Sequence, residues 1–241
     1  MTLVLALEGR EGLLLAADSR GTIGDPRGLT AISDDHIKIK LFQLSKYCGV
    51  IIAGASELAA TLIDELRTKI NEASAEYTDQ IMNITRDLAR SRYQDWFSRV
   101  SEERKQVLNF IVSGYDQEIG SNNLRPRIWL LSSALDFAPQ LCQTGRMMAG
   151  VPQYATYLVH RLYNREMNAI EMQRLAAYLI SETATQDPKV GGPIRMASIT
   201  PDVGFAEVDQ SRIDDVVEEV GALNEALRSV FFKRKRRRKK E

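Results

Sequence analysis

Thr2 is the residue whose type and position could support nucleophilic chemistry. It follows Met1 and opens an apolar, strand-like run that continues to Leu7. Methionine aminopeptidases generally remove Met when the next side chain is small, so we expect the mature chain to begin at Thr2. Its α-amino group would have an ordinary pKa of about 7.7–8.0, so part of it is neutral near pH 7. Since a neutral amine can accept the hydroxyl proton, the sequence predicts a nucleophile that activates itself.

This chain has few residues that could support another kind of nucleophile or a metal site. Cys48 and Cys142 lie in apolar, strand-like segments, and no nearby Cys or His spacing supports a disulfide or a nucleophilic thiol. His36 and His160 are the only two histidines, too few for a convincing Ser-His-Asp triad or a His-based metal site. A hydrolytic site here therefore needs another base, and we expect no metal and no cofactor.

Composition predicts a globular protein with a separate basic tail. The chain has 241 residues, of which 44% are hydrophobic and 27% charged, as in an average globular domain. No apolar run is long enough to cross a bilayer and no secretory signal is visible, so we expect a cytoplasmic location without membrane contact. Residues 233–241 carry eight Lys or Arg and one Glu, for +7, which leaves 24 basic and 31 acidic residues, or −7, in the body. We expect one domain over 1–229 and a disordered tail over 230–241.

Hydrophobic patterning predicts strands and helices in separate runs rather than in alternation. Strands are expected at 2–8, 13–19, 37–42, 48–54, 107–115, 126–137, 141–149, 192–200 and 204–208, with a loop over 20–35. Helices are expected at 57–71, 77–99, 152–164, 168–185 and 209–229. This order predicts an α+β fold, a four-layer αββα sandwich of two antiparallel sheets flanked by helix pairs.

Several segments, in their order and spacing, resemble the proteasome β-type subunits of the N-terminal nucleophile (Ntn) hydrolase superfamily. The resemblance runs from Thr2 to about Gln210 and suggests a prokaryotic proteasome homologue with the Ntn-hydrolase fold. The matching segments are Thr2 with the strand after it, Gly12–Arg20, Lys40–Leu44, Gly49–Ala55, Ala149–Val151, Asp187 with Gly191-Gly192, and Ala197–Thr200.

The resemblance implies catalytic roles for five residues. Thr2 resembles the nucleophile, and Asp18 and Lys40 resemble the carboxylate and ammonium beside it. A backbone N–H at Gly54 resembles the oxyanion donor, and Asp187 resembles a carboxylate that helps to fix the terminal amine. Plainer interpretations stay open: an ordinary ion pair for Asp18 and Lys40, a strand-ending glycine for Gly54, and a turn residue for Asp187.

The resemblance also implies where substrate would bind. Thr22 and Gly54 resemble residues that pair with an extended peptide backbone. The pocket for the side chain before the cleaved bond is expected to have Ile52 at its base, favouring a medium apolar group, while Lys38 could recruit an acidic one. The further candidates are Arg20, Gly21 and Ser56. The family usually has serines at the positions of Ala149 and Val190, so the hydrogen-bond shell of the amine is expected to be thinner here.

The leading functional hypothesis is a threonine endopeptidase that cleaves peptides or unfolded proteins inside stacked homo-oligomeric rings. An ATPase or activator partner stays open. Two alternatives are a non-catalytic scaffold or gating subunit, and a transpeptidase or amidohydrolase on the same fold. The basic tail is expected to be solvated, or to dock on an acidic partner or on a neighbouring subunit. Nucleic-acid binding is not favoured, because no aromatic residues interleave with the charges.

Overall fold

The computed structural model describes residues 2–24, 30–37, 39–118, 120–121 and 123–232. Lys38 and the tail 233–241 lie outside the described residues. The strands are β1 Leu3–Gly9, β2 Gly12–Ala17, β3 Arg20–Gly24, β4 Thr30–Ile37, β5 Leu41–Gln43, β6 Cys48–Gly54, β7 Leu108–Gln117, β8 Leu124–Ser132, β9 Gln140–Leu141, β10 Arg146–Gly150, β11 Arg195–Thr200 and β12 Gly204–Glu207. The helices are α1 Ser56–Glu72, α2 Thr78–Phe97, α3 Gln153–Leu162, α4 Ala169–Gln186 and α5 Gln210–Phe231.

Two antiparallel five-stranded sheets form the centre of the molecule. The first has the order β10-β1-β2-β11-β12 and the second the order β5-β6-β7-β8-β9, while β3 and β4 pair with each other. Strand β1 shows how the sequence specifies the layers. Leu3, Leu5 and Leu7 face a core shared with α3, α4 and α5, whereas Val4 and Ala6 face the core between the sheets. Because both faces of β1 are covered, its sequence is continuously apolar rather than alternating.

A third core lies between the second sheet and helices α1 and α2, where Val50 and Ile52 meet Leu62 and Leu66. The layers therefore run helices, sheet, sheet, helices, and the predicted α+β sandwich is confirmed. Within the described residues, no helix is both long and apolar enough to cross a membrane.

The segment after β2 differs from the prediction. The expected loop over 20–35 contains strands β3 and β4, which pair with a bulge after Arg20. The three glycines and Pro26 of this segment are typical of a loop, yet its β-branched residues lie in paired strands. The strand expected at 37–42 is also interrupted, since β4 ends at Ile37 and β5 begins at Leu41. That break leaves Lys40 outside the regular ladders, at the edge where β1 and β2 bring Thr2 and Asp18.

Candidate active site

Thr2 directly precedes β1 and is 3% exposed. Its carbonyl accepts a hydrogen bond of 2.9 Å from the N–H of Val151. Gly150, at the end of β10, packs directly against it. A Cβ at Gly150 would lie 1.9 Å from the Thr2 carbonyl oxygen, and the φ of Gly150 is +97°. Both facts require glycine at this position, because a side chain would displace the Thr2 backbone.

Asp18 directly follows β2 and is almost fully buried. Its Oδ1 accepts the N–H of Leu3 at 3.0 Å and its Oδ2 accepts the N–H of Gly191 at 3.2 Å. The Thr2 hydroxyl also donates to Oδ1. These donors compensate for burial of a carboxylate and fix its position beside Thr2.

Lys40 supplies the cation of the site and is 2% exposed. Its Nζ donates to Asp18 Oδ1 at 2.9 Å, to the carbonyl of Arg20 at 3.1 Å and to Thr2 Oγ1. An ammonium has three protons, so these three acceptors match its donor capacity. The backbone is held as well, since the N–H of Ile52 donates to the Lys40 carbonyl at 2.9 Å.

The electrostatics of this cluster suit a hydroxyl that must lose its proton. Burial lowers the pKa of Lys40, and the charge and hydrogen bond of Asp18 oppose that shift. A cation whose N–H points at Thr2 Oγ1 stabilises negative charge on that oxygen as its proton leaves. It also disfavours a second positive charge nearby. The arrangement can therefore activate an oxygen nucleophile without a histidine.

Asp187 and Arg20 hold the turn that contacts Asp18. Asp187 Oδ1 accepts the N–H of Lys189 at 2.9 Å, in the turn that leaves α4. Arg20 Nη1 donates to the carbonyls of Pro188 at 2.7 Å and Val190 at 3.1 Å. These bonds fix the approach to Gly191, whose N–H reaches Asp18. The predicted contacts of Asp187 with the amine and of Arg20 with substrate stay predictions.

Gly54 ends β6 with its backbone exposed and a φ of +95°. A Cβ there would lie 1.9 Å from the carbonyl oxygen of Val107, so the position requires glycine. Its predicted role as an oxyanion donor is not tested by this contact.

The substrate-binding candidates occupy different depths. Ile52 is fully buried and packs with residues of α1, so only the floor of a pocket could involve it. Gly21 is buried and lies opposite Ser33, and Thr22 lies opposite Ile32, both in the β3–β4 pair. Ser56 is the first residue of α1. Their contacts with substrate stay predictions, as does that of Lys38.

A model of the proteasome subunit family matches residues 2–199. This chain belongs to the proteasome family. It is 23% identical over 193 residues to the proteasome subunit beta of Methanosphaera stadtmanae, covering 80% of this chain and 83% of that protein. Its structure is similar to that of the Anbu (Gly-1) mutant from Hyphomicrobium sp. strain MC1, with a TM-score of 0.67 at 20% identity over 98% of each chain. The predicted membership and the predicted Ntn-hydrolase fold are confirmed.

Three residues of this proteasome-family site received no role from the sequence. Gly150 and Gly191 belong to matched segments, yet their roles depend on φ and on close approach, which residue type alone does not reveal. Ser19 is buried, and its hydroxyl donates to the carbonyl of Pro193 at 2.6 Å. Its N–H donates to the Gly191 carbonyl at 3.1 Å, so Ser19 ties the turn to the end of β2. In the sequence, the position of Ser19 directly after Asp18 was the one feature that could have indicated its role.

The two family serine positions are apolar in the structure as well. Ala149 belongs to the core between the sheets, and Val190 belongs to the core beneath α4. Neither side chain can donate or accept a hydrogen bond. Cys48 and Cys142 are free thiols, and burial raises the pKa of Cys48, so that thiol stays protonated and unreactive.

Proposed function

We propose that this chain is a threonine-type peptidase whose nucleophile is Thr2 Oγ1, exposed by removal of Met1. The supporting observation is the convergence of Lys40 and Asp18 on that one buried oxygen. A buried ion pair is costly to place in a protein interior, and ionisable groups in such environments cluster at functional sites. Family membership favours the same chemistry.

The proposed reaction begins with transfer of the Thr2 hydroxyl proton to the neutral α-amine. Thr2 Oγ1 then forms a bond to the carbonyl carbon of the peptide, while the Gly54 N–H stabilises the oxyanion; one such donor is typically worth ~10²–10³ in kcat. The C–N bond breaks, the leaving amine takes the proton from the α-ammonium, and an ester remains on Thr2. Water, deprotonated by the same amine, hydrolyses the ester and restores the hydroxyl.

Lys40 and Asp18 have different electrostatic roles in the proposed reaction. Lys40 stabilises the developing charge on Oγ1 and keeps the α-amine neutral, whereas Asp18 keeps Lys40 in place. Because Asp18 also binds the N–H groups of Leu3 and Gly191, it fixes the ammonium relative to the strand that carries Thr2. Asp187, through its turn, would place the amine.

The proposed substrate is an extended peptide or an unfolded protein. Its backbone would pair with Thr22 and Gly54 as an added strand. Its side chain before the cleaved bond would lie above Ile52, bordered by Gly21, Lys38 and Ser56. The bonds of Arg20 to the 188–190 turn favour a positioning role for this residue over direct substrate contact.

We also propose homo-oligomeric stacked rings in the cytoplasm, as the family suggests. An amine-activated threonine discriminates little among peptides, so enclosure of the site would limit which chains are cut. An unfoldase or activator would then deliver substrate. Neither ring size nor partner enters the chemistry at Thr2.

The proposal is tested by digesting an unfolded protein and an extended peptide, with products identified by mass spectrometry. Wild type and Thr2→Ser are expected to give hydrolysed fragments and Thr2→Ala none, while Thr68→Ala, on the exposed face of α1, keeps full activity. Fragments from Thr2→Ala would contradict the proposal. Ligated products would indicate a transpeptidase, and complete inertness of wild type would indicate a scaffold subunit.

A further inference from the structure

The second half of α5 projects beyond the domain. Ile213, Val216 and Val220 anchor its first half in the core. From residue 221 to 232 every side chain is exposed apart from that of Asn224, which donates to Glu182 Oε1 at 2.6 Å. We call residues 221–232 the α5 overhang. A helical segment of this length is marginal in water without packing, so the overhang needs a surface against which to lie.

The overhang is apolar along one side. Leu223, Leu227 and Phe231 are spaced four residues apart and therefore form a single stripe. They are 63%, 52% and 74% exposed. Val230 and Phe232 add exposed apolar surface at the same end, at 67% and 77%. Exposed apolar residues gathered in this way mark an interaction site rather than ordinary surface.

The stripe forms one wall of a groove. A cavity of about 840 Å³ separates it from α3 and α4, with Leu162, Leu175 and Tyr178 among the residues opposite. Arg174 and Glu219 form an ion pair of 2.7 Å at its rim. The groove has an apolar interior and a charged border, which is the composition of a protein-binding surface.

Charge is distributed unevenly on either side of the overhang. Residues 201–220, directly before the overhang, contain seven Asp or Glu and one Arg, for −6. The tail 233–241 carries +7. In the first half of α5, Asp214, Asp215 and Glu218 are exposed. The overhang, which is itself neutral, therefore lies between an acidic segment of −6 and a basic segment of +7.

We infer that the α5 overhang binds the α5 overhang of a second copy of this chain, with the two helices antiparallel and crossing near Leu227. The apolar stripes then enter each other's grooves. Antiparallel crossing directs the basic tail of each copy toward the acidic first half of α5 in the other. A parallel pairing would instead place the two tails together, where their charges repel. The inference does not depend on the chemistry at Thr2.

A basic run beside exposed Phe residues is also typical of a segment that lies on an anionic membrane. The same helix argues against that occupant. Glu219 lies one turn before Leu223 on the side of the stripe, and Asp214, Asp215, Glu218 and Glu225 lie elsewhere along α5. An anionic surface would repel these carboxylates, whereas a second copy meets them with its tail.

Disulfide trapping tests the pairing and its direction. In a Cys142→Ser background, chains with Leu223→Cys and chains with Phe231→Cys are mixed under mild oxidation, with one of the two enlarged by a tag. Antiparallel crossing near Leu227 predicts a mixed disulfide in excess of either homodimer. Val203→Cys, on the exposed β11–β12 turn, is the control and should not cross-link. Homodimers in excess, or no disulfide at all, would overturn the inference.

Sedimentation velocity tests the energetics. Leu227→Glu/Phe231→Glu is expected to weaken association at least about tenfold, since residues at the centre of an interface dominate its affinity. Val203→Glu, which adds the same charge at a similarly exposed apolar residue, should leave the mass unchanged. Deletion of 233–241 should weaken association most at low salt.

Two outcomes separate this inference from the proposed function. Rings that form without the cross-link, or an unchanged mass of Leu227→Glu/Phe231→Glu, contradict the α5 pairing and leave peptidase activity standing. Binding of phosphatidylserine vesicles by an otherwise monomeric wild type would assign the overhang to a membrane instead. All measurements can use Thr2→Ala chains, because the readout is mass and not proteolysis.

Discussion

Replacing Lys40 by Met should destabilise the fold as well as remove reactivity. Lys40 Nζ satisfies Asp18 Oδ1, the Arg20 carbonyl and Thr2 Oγ1, and it is 2% exposed. Breaking a buried ion pair by removing one partner typically costs ~3–5 kcal/mol, because the other charge stays buried. Asp18 keeps the N–H donors of Leu3 and Gly191, which places the expected loss near the lower end, at about 3 kcal/mol.

The assay is urea unfolding followed by tryptophan fluorescence at one protein concentration, for Lys40→Met, Asp18→Asn and the double variant. The double variant should recover stability relative to Lys40→Met, with a coupling energy of about 1–3 kcal/mol, because it leaves no unpaired charge. Lys69→Met is the control. Lys69 is exposed on α1, so its loss should stay within about 0.5 kcal/mol.

A loss for Lys40→Met no larger than that for Lys69→Met, together with a coupling energy near zero, would contradict a buried, strongly coupled pair of Lys40 and Asp18. Such a result would mean that the pair is hydrated and weakly coupled in solution. Lys40 could then not present a desolvated ammonium to Thr2 Oγ1.

Three further predictions concern other parts of the fold. Gly150→Ala should cost at least about 2 kcal/mol in urea unfolding and abolish peptide cleavage, because the new Cβ would displace Thr2; near-wild-type activity would contradict this. Burial and Asp79 raise the pKa of Asp116 to about 6, so native protein binds more protons than unfolded protein between pH 4 and 6. Wild type should therefore lose about 1–3 kcal/mol relative to Asp116→Asn as pH rises from 4 to 7, and parallel pH curves would count against the raised pKa. Asn168→Ala removes the capping box of α4 and should lower the free energy of unfolding by about 1 kcal/mol, as measured by urea titration; an unchanged midpoint would show that the cap contributes nothing.

The sequence predicted the layered fold because hydrophobic patterning reports which faces are buried. The apolar run with Leu3, Leu5 and Leu7 predicted a buried strand. The predicted bounds of α1 and α2 lie within two residues of the observed bounds. The paired strands of the 20–35 segment were not predicted, because its glycines and proline are typical of a loop. Pairing of β3 with β4 is a non-local property that composition does not report.

The candidate site was predicted in its residue types but not in its geometry. Thr2, Asp18 and Lys40 come from three separate segments, and only the folded sheet brings them together. Gly150 was quoted within a matching segment, yet nothing in the sequence shows that a Cβ there would reach the Thr2 carbonyl. The turn that Asp187 and Arg20 hold depends on backbone hydrogen bonds, which residue type leaves undetermined.

Intact-mass spectrometry before and after treatment with a peptide epoxyketone decides whether Thr2 is the nucleophile. We predict that the purified chain lacks Met1 and gains one inhibitor at the new amino terminus, while Thr2→Ala gains none. Active enzyme that retains Met1, or labelling of Thr2→Ala, would contradict the assignment of Thr2 as nucleophile.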